Sequence, residues 1–169
     1  MQETAKKPVL YDVDGYEIVT KALENVLNSF PGLMPGEKIN FSSLEEDSGI
    51  SFYPVSGAVI ATEKRTVTGF VDQLCNYPFY VVYRSAPTTA GIKTEIKEFL
   101  DSLGKWLEKQ PVNIDGTECK LDEYPALTDG RVIESISRLT PSYLDTVDTN
   151  KVENWVISIS LKYRNKFKK

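Results

Sequence analysis

The stretch "VENWVISISLKYRN", Val152 to Asn165, decides how this chain is read. From Trp155 on, apolar and polar residues alternate, the period of a half-buried β-strand. Trp155, Ile157, Ile159, Leu161 and Tyr163 fall on one face and Val156, Ser158, Ser160, Lys162 and Arg164 on the other. The first face belongs in a core. The second, small and then basic, faces water, a neighbouring subunit or a substrate.

Working outward, "RVIESISRL" (131–139) gives a preceding strand, and "TPSYLDTVDTNK" (140–151) reads as the loop between the two. Further upstream, "GISFY", "AVIATEKRTVTGF" (Ala58 to Phe70) and "YPFYVVYRSAP" are extended segments. In the last of these Phe79, Val81 and Tyr83 face one way and Tyr80, Val82 and Arg84 the other. Bulky residues on both sides predict a strand covered on both faces.

Two helices complete the pattern. In "DGYEIVTKALENVLNSFPG", Val19, Ala22, Leu23, Val26, Leu27 and Phe30 recur at helical spacing. Asp14 is the expected N-cap, with Glu17 closing a capping box, and Pro31-Gly32 ends the helix. In "TTAGIKTEIKEFLDSLGKWLEKQP", Ile92, Ile96, Phe99, Leu100, Leu103 and Leu107 make the stripe and Pro111 stops it. Residues 1–13 read as a poorly ordered lead-in, 33–48 as a loop, and 112–130 as irregular. The expectation is one α+β domain over 1–169: a mainly antiparallel sheet of about five strands, with two amphipathic helices on one face.

Composition narrows the chemistry. The chain has no histidine, which removes imidazole bases, Ser-His and Cys-His pairs and the commonest metal ligand. No nucleotide-binding glycine loop, nucleophile elbow or paired-cysteine motif occurs. "DVDG" at 12–15 lacks the remaining ligands of a calcium loop. "EED" at 45–47 could hold a divalent cation but reads as a solvated loop, and "EKR" at 63–65, in a predicted strand or at its turn, reads as a solvated hairpin tip or as a contact with a charged partner. "NFS" at 40–42 is a formal glycosylation acceptor without an export signal to give it meaning. No catalytic, cofactor or metal residue is expected.

Without a secretory h-region or an apolar run of membrane length, a cytosolic protein is expected, with Cys75 and Cys119 as reduced thiols. The net charge is −4, yet the last eight residues, "KYRNKFKK", carry five positive charges and no negative one. Residues 165–169 therefore read as a basic tail, solvated or in contact with an acidic partner. Nine tyrosines and two tryptophans beside polar sequence favour interfaces.

Three stretches resemble a bacteriophage family. The helix "YEIVTKALENVL", the run "GFVDQLCNYPFYVVYRSAP" leading into "KTEIKEFLDSLGKWL", and the closing "VENWVISISLKYRN" are similar to the small tail-completion proteins of siphophages and prophages. These are minor capsid or minor tail proteins, tail terminators among them. The resemblance implies a structural, non-enzymatic subunit that caps the tail tube as a ring, hexameric when assembled. Its partners would be copies of itself, the tail tube protein and the head–tail connector, with DNA passing through the lumen without specific binding. It would be found in the host cytoplasm during assembly and then in the virion tail. Ser158, Ser160, Lys162, Arg164, Tyr80 and Arg84 are the candidate interface residues. The alternatives are another connector or minor capsid subunit, or a small cytosolic ligand-binding or enzymatic α+β domain.

Overall fold

A computed structural model describes residues 8–86 and 89–169. Two strands of 16 residues run side by side through its centre. β4 (Phe70–Ser85) and β9 (Glu153–Lys168) pair antiparallel over their whole length, from Phe70 opposite Lys168 to Ser85 opposite Glu153. Each carries two shorter strands on its outer side. β3 (Val59–Arg65) and β2 (Gly49–Pro54) share the flank of β4, and β1 (Ile39–Phe41) adds in parallel to β2. β7 (Arg131–Arg138) and β8 (Tyr143–Val147) share the flank of β9.

Pro78 lies within β4, where a missing N–H would normally break a ladder. Its carbonyl accepts from Val55 N at 3.0 Å, so its nitrogen faces the gap between the end of β2 at Pro54 and the start of β3 at Val59. The handover between flanking strands removes the need for a donor there.

The chain is thus α+β, as expected, but the large sheet has seven strands rather than five, and a two-stranded hairpin, β5 (Val112–Ile114) with β6 (Thr117–Cys119), stands apart. The additional strands are short and arise inside segments that read as loops. β8 lacks a buried face altogether. It forms because β9 outruns β7, and the free backbone groups of Glu153 to Val156 need partners. The segment 58–70 is one strand plus the turn into the next, closed by Thr66 N donating to Phe70 O at 2.8 Å.

The two helices, α1 (Val13–Asn28) and α2 (Ala90–Leu107), pack on the odd-numbered face of β4 and β9. Cys75, Tyr77, Phe79 and Val81 of β4, and Ile157, Ile159, Leu161 and Tyr163 of β9, are wholly buried there. Tyr77 stacks on Tyr16 of α1, Phe99 of α2 meets Tyr83, and Phe30 and Trp106 join the helices to each other. The opposite, even-numbered face carries no helix; Tyr80 is exposed there. Bulk on both sides of β4 therefore marks a central strand, not one covered twice.

Two further expectations are corrected. The N-cap of α1 is Asp12, whose carboxylate accepts from Gly15 N at 3.1 Å; Asp14 lies in the first turn. The basic tail is a paired strand: β9 reaches Lys168, and Lys169 N donates to Gly69 O at 2.8 Å. Of the lead-in, residues 1–7 lie outside the described residues. Leu10 and Tyr11 join the edge of β3, through Ile60 N to Leu10 O and a bridge from Tyr11 to Val59.

Candidate assembly surface

The six residues picked from sequence share one surface. Ser158, Ser160, Lys162 and Arg164 occupy alternate positions of β9, and Tyr80 and Arg84 alternate positions of β4, all on the side away from the helices. The register brings Tyr80 opposite Ser158, Pro78 opposite Ser160 and Asn76 opposite Lys162. The flanking strands extend the patch: Tyr53 stands beside Tyr80, Ser137 beside Ser160, and Tyr143 beside Val156. The centre of this face is small and tyrosine-lined, and its charge lies toward the two ends, Arg84 at one and Lys162 and Arg164 at the other.

The two arginines are not free for a partner. Arg164 Nε binds Glu134, and its Nη1 reaches Asp72 Oδ1 at 3.2 Å, tying β9 to β7 and β4. Arg84 Nε donates to Asn154 Oδ1 at 2.9 Å and Nη1 to the Glu45 carbonyl at 3.0 Å, pinning the 42–48 loop to the sheet. Lys162 is exposed, and the Asn76 Oδ1 next to it is buried without a hydrogen-bond partner.

A second polar site, not foreseen from sequence, lies on the helix side. Asp12 and Arg131 form a buried bidentate pair, Nε to Oδ2 at 2.9 Å and Nη2 to Oδ1 at 2.7 Å. The Tyr163 hydroxyl donates to Oδ2 at 2.7 Å. Burial works against ionisation of Asp12, but the bonds from Arg131, Tyr163 and Gly15 N outweigh it and hold the carboxyl below its usual range. Burial first, and then Asp12, pushes the Tyr163 hydroxyl well above its usual range. Beside them Cys75 is pushed up to about 11, mainly by burial, leaving a neutral thiol at ordinary pH.

An open recess of about 460 Å³ adjoins this pair, lined by Tyr11, Ile60, Gln73, Asn165 and Phe167. Gln73, Asn165 and Arg131 are neighbours in register across β4, β9 and β7. Asn165 donates to Gln73 at 3.2 Å and Gln73 to Glu63 at 2.8 Å. The polar groups of this row bond to one another and join β3, β4, β9 and β7, while Asp14 and Asp129 also line the recess. The sequence offered no signal for it, since Asp12 and Arg131 belong to segments read as lead-in and strand.

Among the described residues no cluster of three or more Cys, Asp or Glu is placed to hold a metal ion, and no helix is long and apolar enough to cross a membrane. No protein-family model matches the chain, and no curated protein does so either.

Proposed function

We propose that this chain is a structural virion subunit, a tail terminator or head–tail joining protein, that closes as a ring on the end of a phage tail tube. The observation that carries this reading is the uncovered face of the seven-stranded sheet. A sheet covered by helices on one side only leaves a broad surface of tyrosines and small hydroxyls, with the exposed lysines of β9, Lys162, Lys166 and Lys168, toward one end. Such a surface, poor in charge at its centre, suits contact between copies or with a tube better than it suits a small ligand. The resemblance in the two helices and the terminal strand points the same way. In this reading the chain performs no chemistry: it joins copies of itself to the tube protein and the head connector. A heterologous contact closes a ring when its rotation divides the circle, here into six. A net negative chain would let DNA pass without the Lys/Arg–phosphate contacts that cause adhesion.

The test is to add the purified protein to growing tail tubes and image the product by negative-stain electron microscopy. Capped ends and arrested growth are expected. Tubes of unchanged length with bare ends would overturn the proposal.

A further inference from the structure

A groove and a hairpin tip at opposite ends of β4 complement each other. The groove, about 510 Å³, lies between α2, the 30–37 segment and the β5–β6 hairpin. Its floor is aromatic: Phe99 meets Phe30 at 5.6 Å and Tyr83 at 5.5 Å between ring centroids. Ile92 and Met34 are exposed at its margin. Glu37, Glu95, Glu98 and Asp115 line it, and among the described residues no lysine or arginine does.

The other end carries the opposite pattern. The β3–β4 turn presents Val67, fully exposed, and Phe70, more than half exposed. Cations surround it. Lys64 and Lys166 flank Asp72 in register, Arg65 precedes the turn, Lys168 stands opposite Phe70, and Lys169 is bonded to Gly69. The Lys168 ammonium lies 5.8 Å from the Phe70 ring centroid. Among the described residues the acids beside these five cations are Glu63, paired with Arg65 at 3.0 Å, and Asp72, paired with Arg164 at 3.2 Å.

We infer that the β3–β4 hairpin tip of one copy docks into the acidic, aromatic-floored groove of a second copy. Tip and groove cannot meet within one chain. From Phe70 to Tyr83 the strand covers about 43 Å at ~3.3 Å per residue. A tip seated in a neighbour's groove without the reciprocal contact is head-to-tail, the heterologous geometry that propagates around a ring or along an axis. Val67 and Phe70 supply the apolar anchor, and the lysines meet the glutamate rim. Apolar contact gives the affinity, while opposite charge fixes orientation and speeds encounter. This rests on the self-assembling reading above and names the surfaces that self-assembly would use.

The experiment mixes two full-length variants, both carrying Cys119→Ser; the buried Cys75 stays in place. One has Val67→Cys at the tip and the other Met34→Cys at the groove, both at exposed positions that leave the fold intact. Disulfide formation under copper–phenanthroline is followed on non-reducing gels. In low salt the mixed cross-link is expected at least about tenfold faster than either like pair, the lower end of electrostatic steering. The advantage should shrink several-fold near 0.5 M salt, where the screening length falls below about 5 Å and only the apolar anchor remains. Lys64→Glu with Lys168→Glu on the tip copy should abolish it, and Glu95→Lys with Glu98→Lys on the groove copy should restore it.

Mixed and like pairs forming at equal rates would overturn the inference. Cross-linking of Met34→Cys chiefly to itself would assign the groove to a symmetric dimer instead. Capped tubes without a fast mixed cross-link would remove this contact and leave the proposed function standing. A fast mixed cross-link in a protein that ignores tubes would do the reverse.

Discussion

Asp12 and Arg131 lie 119 residues apart in the chain, and Arg131 Nη2 stands 2.7 Å from Asp12 Oδ1. One carboxylate caps α1, receives the Tyr163 hydroxyl and anchors β7 through the guanidinium. Removing one member of a buried pair strands the other, at about 3–5 kcal/mol. Asp12→Ala and Arg131→Ala should each cost that much in urea unfolding. Arg131→Met combined with Asp12→Asn should cost clearly less than the two single losses added together, because no unpaired charge remains.

The same pair sets a dependence on acid. The folded pKa of Asp12 is lowered, so its contribution is complete above the unfolded value of about 3.9 and lost as pH falls through the folded one. Asp101 is displaced in the same direction: burial opposes the shift, and bonds from Ser142 and Lys97 overcome it. Chemical unfolding of the wild type between pH 7 and pH 2 should show stability falling below about pH 4. Asp12→Asn should show a shallower fall. Parallel curves would show that Asp12 does not contribute to the acid limb.

Gly130 and Gly116 form a matched pair for a backbone test. Both have positive φ, 77° and 83°. A Cβ at Gly116 meets nothing within 4 Å, whereas at Gly130 it would stand 2.2 Å from the Lys166 carbonyl oxygen. Gly116→Ala should lose about 1 kcal/mol, the conformational cost alone. Gly130→Ala should lose several times more and disturb the Lys166 N to Gly130 O bond, 2.9 Å in the native chain. Urea midpoints and the exchange of the Lys166 amide would check both.

Lys162→Glu is the cleanest probe of the open sheet face, because Lys162 is exposed and lies in none of the observed ion pairs. Its stability should stay within about 0.5 kcal/mol of wild type, as for other exposed sites, while capping of tail tubes weakens. Arg164→Glu is a poorer probe, since it sets a third carboxylate beside Asp72 and Glu134. It should cost up to about 1 kcal/mol in the monomer itself. Unchanged capping by Lys162→Glu would take this face out of the contact.

Thiol titration gives a check on the core. Cys119 is partly exposed, while Cys75 is wholly buried and pushed up to about 11 by that burial. A thiol reagent at pH 7.5 should label one cysteine in the native protein and two in denaturant. Rapid labelling of both in native buffer would show that β4 and β9 open locally.

The two helices were legible because each stripe is a local pattern: Val19, Leu23, Val26 and Leu27, and Ile96, Leu100, Leu103 and Leu107, are buried as their spacing selects, while Ile92, at the first turn of α2, is exposed. The alternation in Trp155 to Arg164 likewise assigned both faces of β9, and with them the shared surface of the six candidate residues. Strand number was not legible. β1 is three residues long and β8 is exposed throughout, so neither has a buried periodicity to read. Both form because longer strands leave backbone groups that need partners.

The sequence by itself determined the α+β class, the helices and the sidedness of the central strands, since those follow from the order of apolar and polar residues along short windows. Only the tertiary structure decided which acid caps α1, that Arg164 and Arg84 are engaged internally, and that acid and base gather at opposite ends of the molecule. Those outcomes depend on residues from distant segments meeting in space. Asp12 and Asp14 are the same residue type two positions apart, and it is Asp12 that both caps α1 and meets Arg131, brought in by β7.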